Sequence, residues 1–342
     1  MKDKRKLIVI SAVISLFIIT AAASLGSTGI SFFDTVLITL HKTFGIPLSE
    51  NISHLNVSIV WLLRLPRVIL AFLVGGALAI SGAVCQSILR NPLASPYILG
   101  VSSGASLGAG IIIISGLTLP FLGGFSLPLT GFIFGLITVF FVSSFSSRID
   151  KSMSNNTIIL CGMVLSLFLN AILTTLSAVF SDDLRRIVLW QMGSFAMRGW
   201  SYIGLLLPFL AIGIIGILFY SKEMDILSFG DDQAKSAGVE TGALRKKLHA
   251  LCAVLTGAAV ALSGIIGFVD LIAPHAARRL IGSRHKYLIP MSFILGGSLM
   301  VCADLLARTI ISPSELPVGA ITALIGAPFF AWVYFRRRNV RS

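Results

Sequence analysis

The sequence predicts an all-α, polytopic membrane protein of about ten transmembrane helices, organised as a single domain over residues 1–342. Three observations carry this. The chain is 56% hydrophobic and only 12% charged, with a mean hydropathy of +0.94. Its apolar residues stand in continuous runs near the roughly 20 residues that a helix needs to cross a bilayer, not in the short alternating segments of a membrane barrel. Its basic residues cluster between those runs, as topology signals do.

The runs can be placed in order at about 7–25, 61–89, 96–115, 124–147, 157–180, 199–220, 248–265, 267–281, 287–307 and 317–335. The first follows MKDKRK and ends in small residues, which mimics a secretory signal. With so many later spans it reads as an uncleaved first helix. The eighth is short and reads as partly re-entrant. If the N-terminus lies inside and the spans alternate, 20 of the 27 basic residues fall on the inner side, and both termini are cytoplasmic. The exceptions are Lys42, Arg64, Arg67, Arg185, Arg186, Arg198 and Arg308. That asymmetry is the one positive-inside topology requires.

Two connections are too long to be plain turns. In 181–198, Ser181-Asp182-Asp183 can start a short interfacial helix carrying Trp190. In the segment of about 221–247, Ser228 or Asp231 can open a helix and Gly238 can close it, giving one or two short helices on the inner face.

The net charge of +13 does not point to nucleic acid, because the positive residues sit in the short segments that set topology. Cys85, Cys161, Cys252 and Cys302 all lie in apolar runs without the paired spacing of a zinc site, and read as small packed hydrophobes. No phosphate-cradling GxxxxGK[ST] loop occurs, so any ATP-driven work needs another polypeptide. No HExxH occurs either, and no metal site is expected.

Gly75, Gly76, Ala79 and Gly82 share one helix face, and Gly100, Gly104 and Gly108 recur every four residues. Small residues at this spacing let helix backbones approach closely; lining a passage is compatible with the same pattern. Residues 104–108 also match GxSxG, but a nucleophile elbow needs a strand–turn–helix setting that the sequence does not offer, so a serine protease using Ser106 and His275 is the weakest reading. Asp270 and Asp304 lie in or at the ends of spans, where acids are costly and face the bundle interior or water. Asp304 and Arg308 are four apart and can pair on one helix face. An ion-coupled secondary transporter using either carboxylate is the alternative from a different class. Arg64 and Arg67 flank Pro66 at the outer start of the second span, either snorkelling to headgroups or meeting a carboxylate-bearing partner.

Three blocks carry a resemblance: LRLPRVILAFLVGGALAISGAVCQSILRNPLASPYILGVSSGASLGA, FGDDQAKSAGVE at 229–240, and GIIGFVDLIAPHAARRLIGSRHKYLIPMSFILGGSLMVCADLLARTIISPSELPVGAITALIGAPFFAWVYFRRR at 264–338. In this order they resemble the FecCD/BtuC-type permease subunits of bacterial ABC importers for ferric siderophores, haem and cobalamin. The resemblance implies a type II ABC importer permease fold with ten spans per subunit. It implies a second permease subunit, identical or homologous, two cytoplasmic ABC ATPase subunits that use ATP and Mg, and an extracytoplasmic substrate-binding protein; this chain itself binds no cofactor. By position, Arg64, Arg67 and Arg308 resemble the arginines that receive glutamates of the binding protein, so charge reversal at Arg67 should weaken docking and spare folding. Ser228, Gly230, Asp231, Gln233, Ala234, Gly238 and Val239 resemble the coupling helices that fit the ATPase. Asn155 and Asn156 resemble the residues narrowing the cytoplasmic gate, and the fifth and tenth spans resemble those lining the passage. The cargo expected is an iron–siderophore complex, with haem or cobalamin as alternatives. Asp270 departs from the family pattern, which usually has a small residue there. A carboxylate at that point can pair with a partner subunit, tune the pathway or face an outer vestibule.

Overall fold

A computed structural model describes residues 4–26, 28–48, 52–117, 123–151 and 153–338, the side chains of 123 and 332–338 excepted. The architecture is helical throughout these residues. In chain order the α-helices are α1 (Lys4–Ser24), α2 (Phe32–Phe44), α3 (His54–Ser58), α4 (Leu65–Ile88), α5 (Val101–Ser115), α6 (Ser126–Ile149), α7 (Asn155–Val179) and α8 (Leu184–Gln191). They continue as α9 (Trp200–Phe219), α10 (Ser221–Leu227), α11 (Asp231–Ser236), α12 (Thr241–Ser263), α13 (Val269–Ile281), α14 (His285–Thr309) and α15 (Val318–Arg338).

Each expected span finds a helix. Among the described residues, seven helical stretches are long and apolar enough to cross a membrane: α1, the 35-residue run His54–Ile88, α6, α7, α9, α12 and α14. The other three are shorter: α5 has 15 residues, α13 has 13, and the apolar part of α15 is Val318–Ala331. At 1.5 Å per residue, α13 rises only about 20 Å, well short of a bilayer's apolar thickness. The loop that precedes it is folded into the bundle. Ser194 donates to the Ser263 carbonyl at its start (2.8 Å), and Tyr97 Oη to Ile266 within it (2.9 Å). Non-helical backbone in a membrane bundle is tolerated where protein supplies partners in this way.

α4 is the central helix, with 83% of its most apolar stretch buried, against 17% for α7 and 22% for α1. Its glycines explain how. A Cβ on Gly75 would lie 2.4 Å from the Gly296 carbonyl of α14, one on Gly76 2.3 Å from Phe293, and one on Gly82 1.8 Å from the Asp270 carbonyl of α13. The second small-residue stripe packs likewise on α6: Gly104 meets Thr138 and the Phe134 carbonyl, and Gly108 meets the Thr130 carbonyl. Both stripes are thus close-packing surfaces. Ser106 lies buried inside the continuous helix α5, which is no nucleophile elbow.

Three features lie outside the sequence expectations. α2 is an additional helix between the first two spans, capped by the Ser31 hydroxyl on Asp34 N–H (3.0 Å) and closed by Gly45 at φ 72°. Its Phe32 ring sits 5.4 Å from Phe17 of α1. A π-turn, Ile59–Arg64, joins α3 to α4. α12 begins at Thr241, inside the segment read as the inner loop.

Candidate functional site

Two polar assemblies, one at each end of α4, contain most of the residues singled out from the sequence. The first is at its N-terminal end. The π-turn closes at Arg64, and Pro66 opens α4 at a position where its missing N–H costs nothing. Arg64 turns inward, 8% exposed, and donates to the carbonyls of Ser24 (2.5 Å) and Thr28 (3.0 Å) and to Thr28 Oγ1 (2.6 Å). Arg67 donates from Nε and Nη2 to Asp304 at 2.8–3.1 Å, and to both Glu315 carboxylate oxygens at 2.7 and 3.0 Å. Arg308 donates to the carbonyls of Leu25 (2.7 Å) and Ala22, with its Nε 3.6 Å from Asp304.

The structure gathers Arg64, Arg67 and Arg308 in one cluster and engages all three with partners inside the chain. The principal partner of Asp304 is Arg67 on another helix, and the expected helix-face pair with Arg308 is the looser contact. Asp304 is 1% exposed and Arg67 13%. Taking one guanidinium from so buried a carboxylate strands a charge. Arg67 thus holds the fold as well as standing at this rim, and charge reversal there is expected to cost stability as well as docking. Glu315, 37% exposed, is the member free to reorient.

The second assembly surrounds the C-terminal end of α4. Arg90 stands at φ 47°, and the Asn91 side chain accepts the Leu93 N–H (2.9 Å) to close the turn. Ser95 caps a short 3-10 turn, Pro96–Leu99, and its hydroxyl also donates to Asp270. Asp270 is 1% exposed inside this chain. The structure thus corrects two of the roles open to it: it faces neither an outer vestibule nor a partner, but ties the 89–100 hinge to α13.

The segment of about 221–247 forms two short helices, α10 and α11, and the beginning of α12. Ser228 follows α10 and donates to the Asp225 carbonyl (2.6 Å). Gly230, at φ 131°, makes the bend that only glycine adopts without strain. Asp231 then opens α11 and is held at 2.9 Å by Arg245, which is 1% exposed and also reaches the Met153 carbonyl (3.2 Å). Ala234 is the fully buried foot of α11. Gly238, at φ 83°, closes the helix as expected, and Val239 N–H returns to the Ala234 carbonyl (2.9 Å). Gln233 is exposed, as is Phe229 at 75%. Beside them lies an open cleft of about 530 Å³ lined by Lys151, Lys235, Gly238, Val239, Glu240, Thr241 and Gly242. At the start of α7, Asn155 turns inward to donate to the Leu89 carbonyl (2.8 Å), whereas Asn156 is exposed.

Sequence reasoning missed the residues that hold this segment, Asp225, Arg245 and His285, because their partners are distant in sequence. Asp225 accepts from His285 backbone N (2.9 Å) and lies 2.6 Å from its ring Nδ1. Burial pushes the Asp225 carboxyl up, but the His285 hydrogen bonds and the nearby charges of His285 and Arg284 outweigh it and hold the carboxyl below its usual range. A carboxyl depressed in the folded state stabilises above its unfolded pKa, near 4, and that contribution fades as pH falls through the lower folded value. The midpoint of thermal unfolding in detergent should therefore fall on acidification below about pH 4, and Asp225→Asn should remove part of that slope. An identical slope in the variant would refute the assignment.

Comparison with known proteins supplies the context. The model of the FecCD transport family matches residues 2–336. The chain is 45% identical over 299 residues to the uncharacterized ABC transporter permease protein YvrB of Bacillus subtilis, covering 87% of this chain and 84% of that one. It is 38% identical over 289 residues to the hemin transport system permease protein HmuU of Yersinia pestis, covering 83% and 85%. Other relatives are named as permeases for cobalamin, Fe(3+)-citrate and iron(3+)-hydroxamate. A solved structure described as an inward-facing conformation of a putative metal-chelate type ABC transporter superposes with a TM-score of 0.83 at 31% identity, covering 97% of this chain and 99% of that one.

Proposed function

The chain belongs to the FecCD transport family, and from that premise we propose that it is the permease subunit through which an iron–siderophore complex enters the cytoplasm. Permeases of this family work in ABC importers with a separate ATPase and a binding protein.

The observation that carries the reading is the build of the segment around α10 and α11. Two helices of seven and six residues are fixed from beneath by Asp225, Asp231 and Ala234, while Ser228, Phe229 and Gln233 are left exposed beside a shallow cleft. Helices so short do not persist alone in water. One that is anchored on a membrane bundle and closed by a glycine turn at Gly238 is suited to receive push and pull from a docked motor. The positive-inside asymmetry supports a cytoplasmic location for this face and for both termini.

At the opposite end, Arg67 and Arg308 form the cationic rim on which a binding protein's carboxylates would register, with Glu315 yielding its place to them. Asn156, exposed at the start of α7, stands at the cytoplasmic mouth, and Asn155 fixes that start to α4. α7 presents Leu160, Met163, Val164, Leu167 and Phe168, all more than half exposed, and α15 presents Leu324. We assign these faces to a second permease subunit and the passage between the two. A bulky chelate suits a passage between subunits better than a pore through one bundle. Several relatives are named for ferric chelates, which favours iron–siderophore cargo over haem or cobalamin.

The test is to co-purify the full-length chain with its extracytoplasmic binding protein and to identify by mass spectrometry the ligand that the binding protein carries. Haem or a corrinoid would overturn the cargo. In parallel, replacing 230–238 by a flexible Gly/Ser linker should leave the permease inserted but reduce ATPase co-purification by at least about tenfold, as expected for loss of an interface hot spot. Undiminished co-purification would refute the coupling role.

A further inference from the structure

Three side chains from three helices form a continuous hydrogen-bonded chain beneath α10 that none of the roles above uses. Asp225 of α10 lies 2.6 Å from His285 Nδ1, and His285 Nε2 lies 2.7 Å from the hydroxyl of Ser87, in the last turn of α4. His285 is the first residue of α14 and is 2% exposed. Carboxylate, imidazole and serine hydroxyl in this order match the geometry of an acyl-transfer triad. Two facts argue against catalysis. The imidazole is buried away from any substrate, and the Ser87 hydroxyl donates to the Ala83 carbonyl of its own helix (2.9 Å).

Both ring nitrogens of His285 are thereby engaged, Nδ1 by the Asp225 carboxylate and Nε2 by the Ser87 oxygen, and the Ser87 hydroxyl is tied in turn to its own helix.

The helices so joined are informative. α4 and α14 pack along their length through Gly75, Gly76, Gly296 and Gly297. At their far ends they are tied again by Arg67 and Asp304. The pair is therefore cross-linked at both ends, with α10 fastened to one of them. The neighbouring anchor, Asp231–Arg245, leads instead to α12 and Met153.

We propose that Asp225, His285 and Ser87 act as a positioning clamp that passes displacement of the coupling helices into the α4–α14 pair, and through it to the Arg67–Asp304 rim. The proposal rests on the reading of 221–247 as the ATPase-coupling segment. A plain helix cap is the competing role, since Asp225 also accepts the His285 backbone N–H at the start of α14.

The test uses the full-length chain with its ATPase in nanodiscs. A reporter cysteine replaces Thr174, on the exposed face of α7, in a background where Cys161 and Cys302 are serine. Labelling by a charged, water-soluble maleimide is measured with and without ATP plus vanadate, which traps the nucleotide-bound complex, and ATP hydrolysis is followed in parallel samples without vanadate. Relative to the parent complex, the nucleotide-dependent change in labelling per ATP hydrolysed should fall about tenfold in Asp225→Asn, His285→Ala and Ser87→Ala, the size of a typical coupling between sites. The Asp225→Asn/His285→Ala double variant should fall no further, and Asp225→Glu, which keeps the carboxylate, should recover most of the response. Parent-like responses in the single variants, or additive losses in the double one, would overturn the clamp. The 230–238 linker variant separates the two readings: if it loses the response while the clamp variants keep it, only the clamp is wrong. If it keeps the response, the coupling role fails and the clamp with it.

Discussion

Arg67→Glu is expected to leave little folded permease in the membrane. The substitution removes all three guanidinium bonds to Asp304 and places a third carboxylate beside Asp304 and Glu315. Asp304 is 1% exposed, so solvent cannot take over, and Arg308 Nε at 3.6 Å is too distant to replace a bidentate partner. Breaking a buried ion pair costs about 3–5 kcal/mol, a large part of the 5–15 kcal/mol typical of a folded domain. Fluorescence-detected size-exclusion chromatography of the detergent-extracted protein should show the monodisperse peak lost. Glu315→Gln makes the opposite case. It leaves the Arg67–Asp304 pair intact and alters only a partly exposed contact, which is worth at most about 1 kcal/mol. The peak should survive, and Arg67 should become more available to an incoming carboxylate. A robust peak from Arg67→Glu would mean that the buried pair is not what holds this rim together.

The contrast shows what the sequence could and could not convey. The ten apolar runs, the short helix carrying Trp190, the two inner helices ending at Gly238 and the close-packing glycine stripes were all legible, because each follows from local period, composition or turn chemistry. The partners of the charges were not. Asp304 and Arg308, four apart, were the pair visible in one dimension, whereas the partner that matters, Arg67, is 237 positions away. The same distance hid the Asp225–His285–Ser87 link, and hid the fact that Asp270 is consumed by Ser95 across the hinge. α2 was missed because 32–44 is amphipathic and not continuously apolar. Family resemblance brought Arg64 forward as a docking residue. Its geometry, with the guanidinium enclosed by the carbonyls that follow α1, could be read only from the fold.

Gly82 and Gly204 should respond in opposite directions to the same change, although both are glycines in apolar helices. Replacing Gly82 by alanine directs a methyl at the Asp270 carbonyl, 1.8 Å from the ideal Cβ position. The obstacle is backbone, at the start of a short helix whose preceding loop is bonded to its neighbours, so it cannot rotate aside. α4 and α13 must separate, disturbing the Asp270–Ser95 contact and the Gln86–Asp270 hydrogen bond at 3.4 Å. Overpacking costs about 1–3 kcal/mol where side chains yield, and a fixed carbonyl puts Gly82→Ala at or above the top of that range. Gly204, in α9, has nothing within 4 Å of its Cβ position and no positive φ. There alanine meets open space, and the higher helix propensity of alanine should stabilise by about 0.5–1 kcal/mol. Unfolding midpoints in SDS-titrated micelles should therefore move down for Gly82→Ala and slightly up for Gly204→Ala. Equal shifts would show that the α4–α13 approach is looser than the packing described, and would remove the reason for a small residue at position 82.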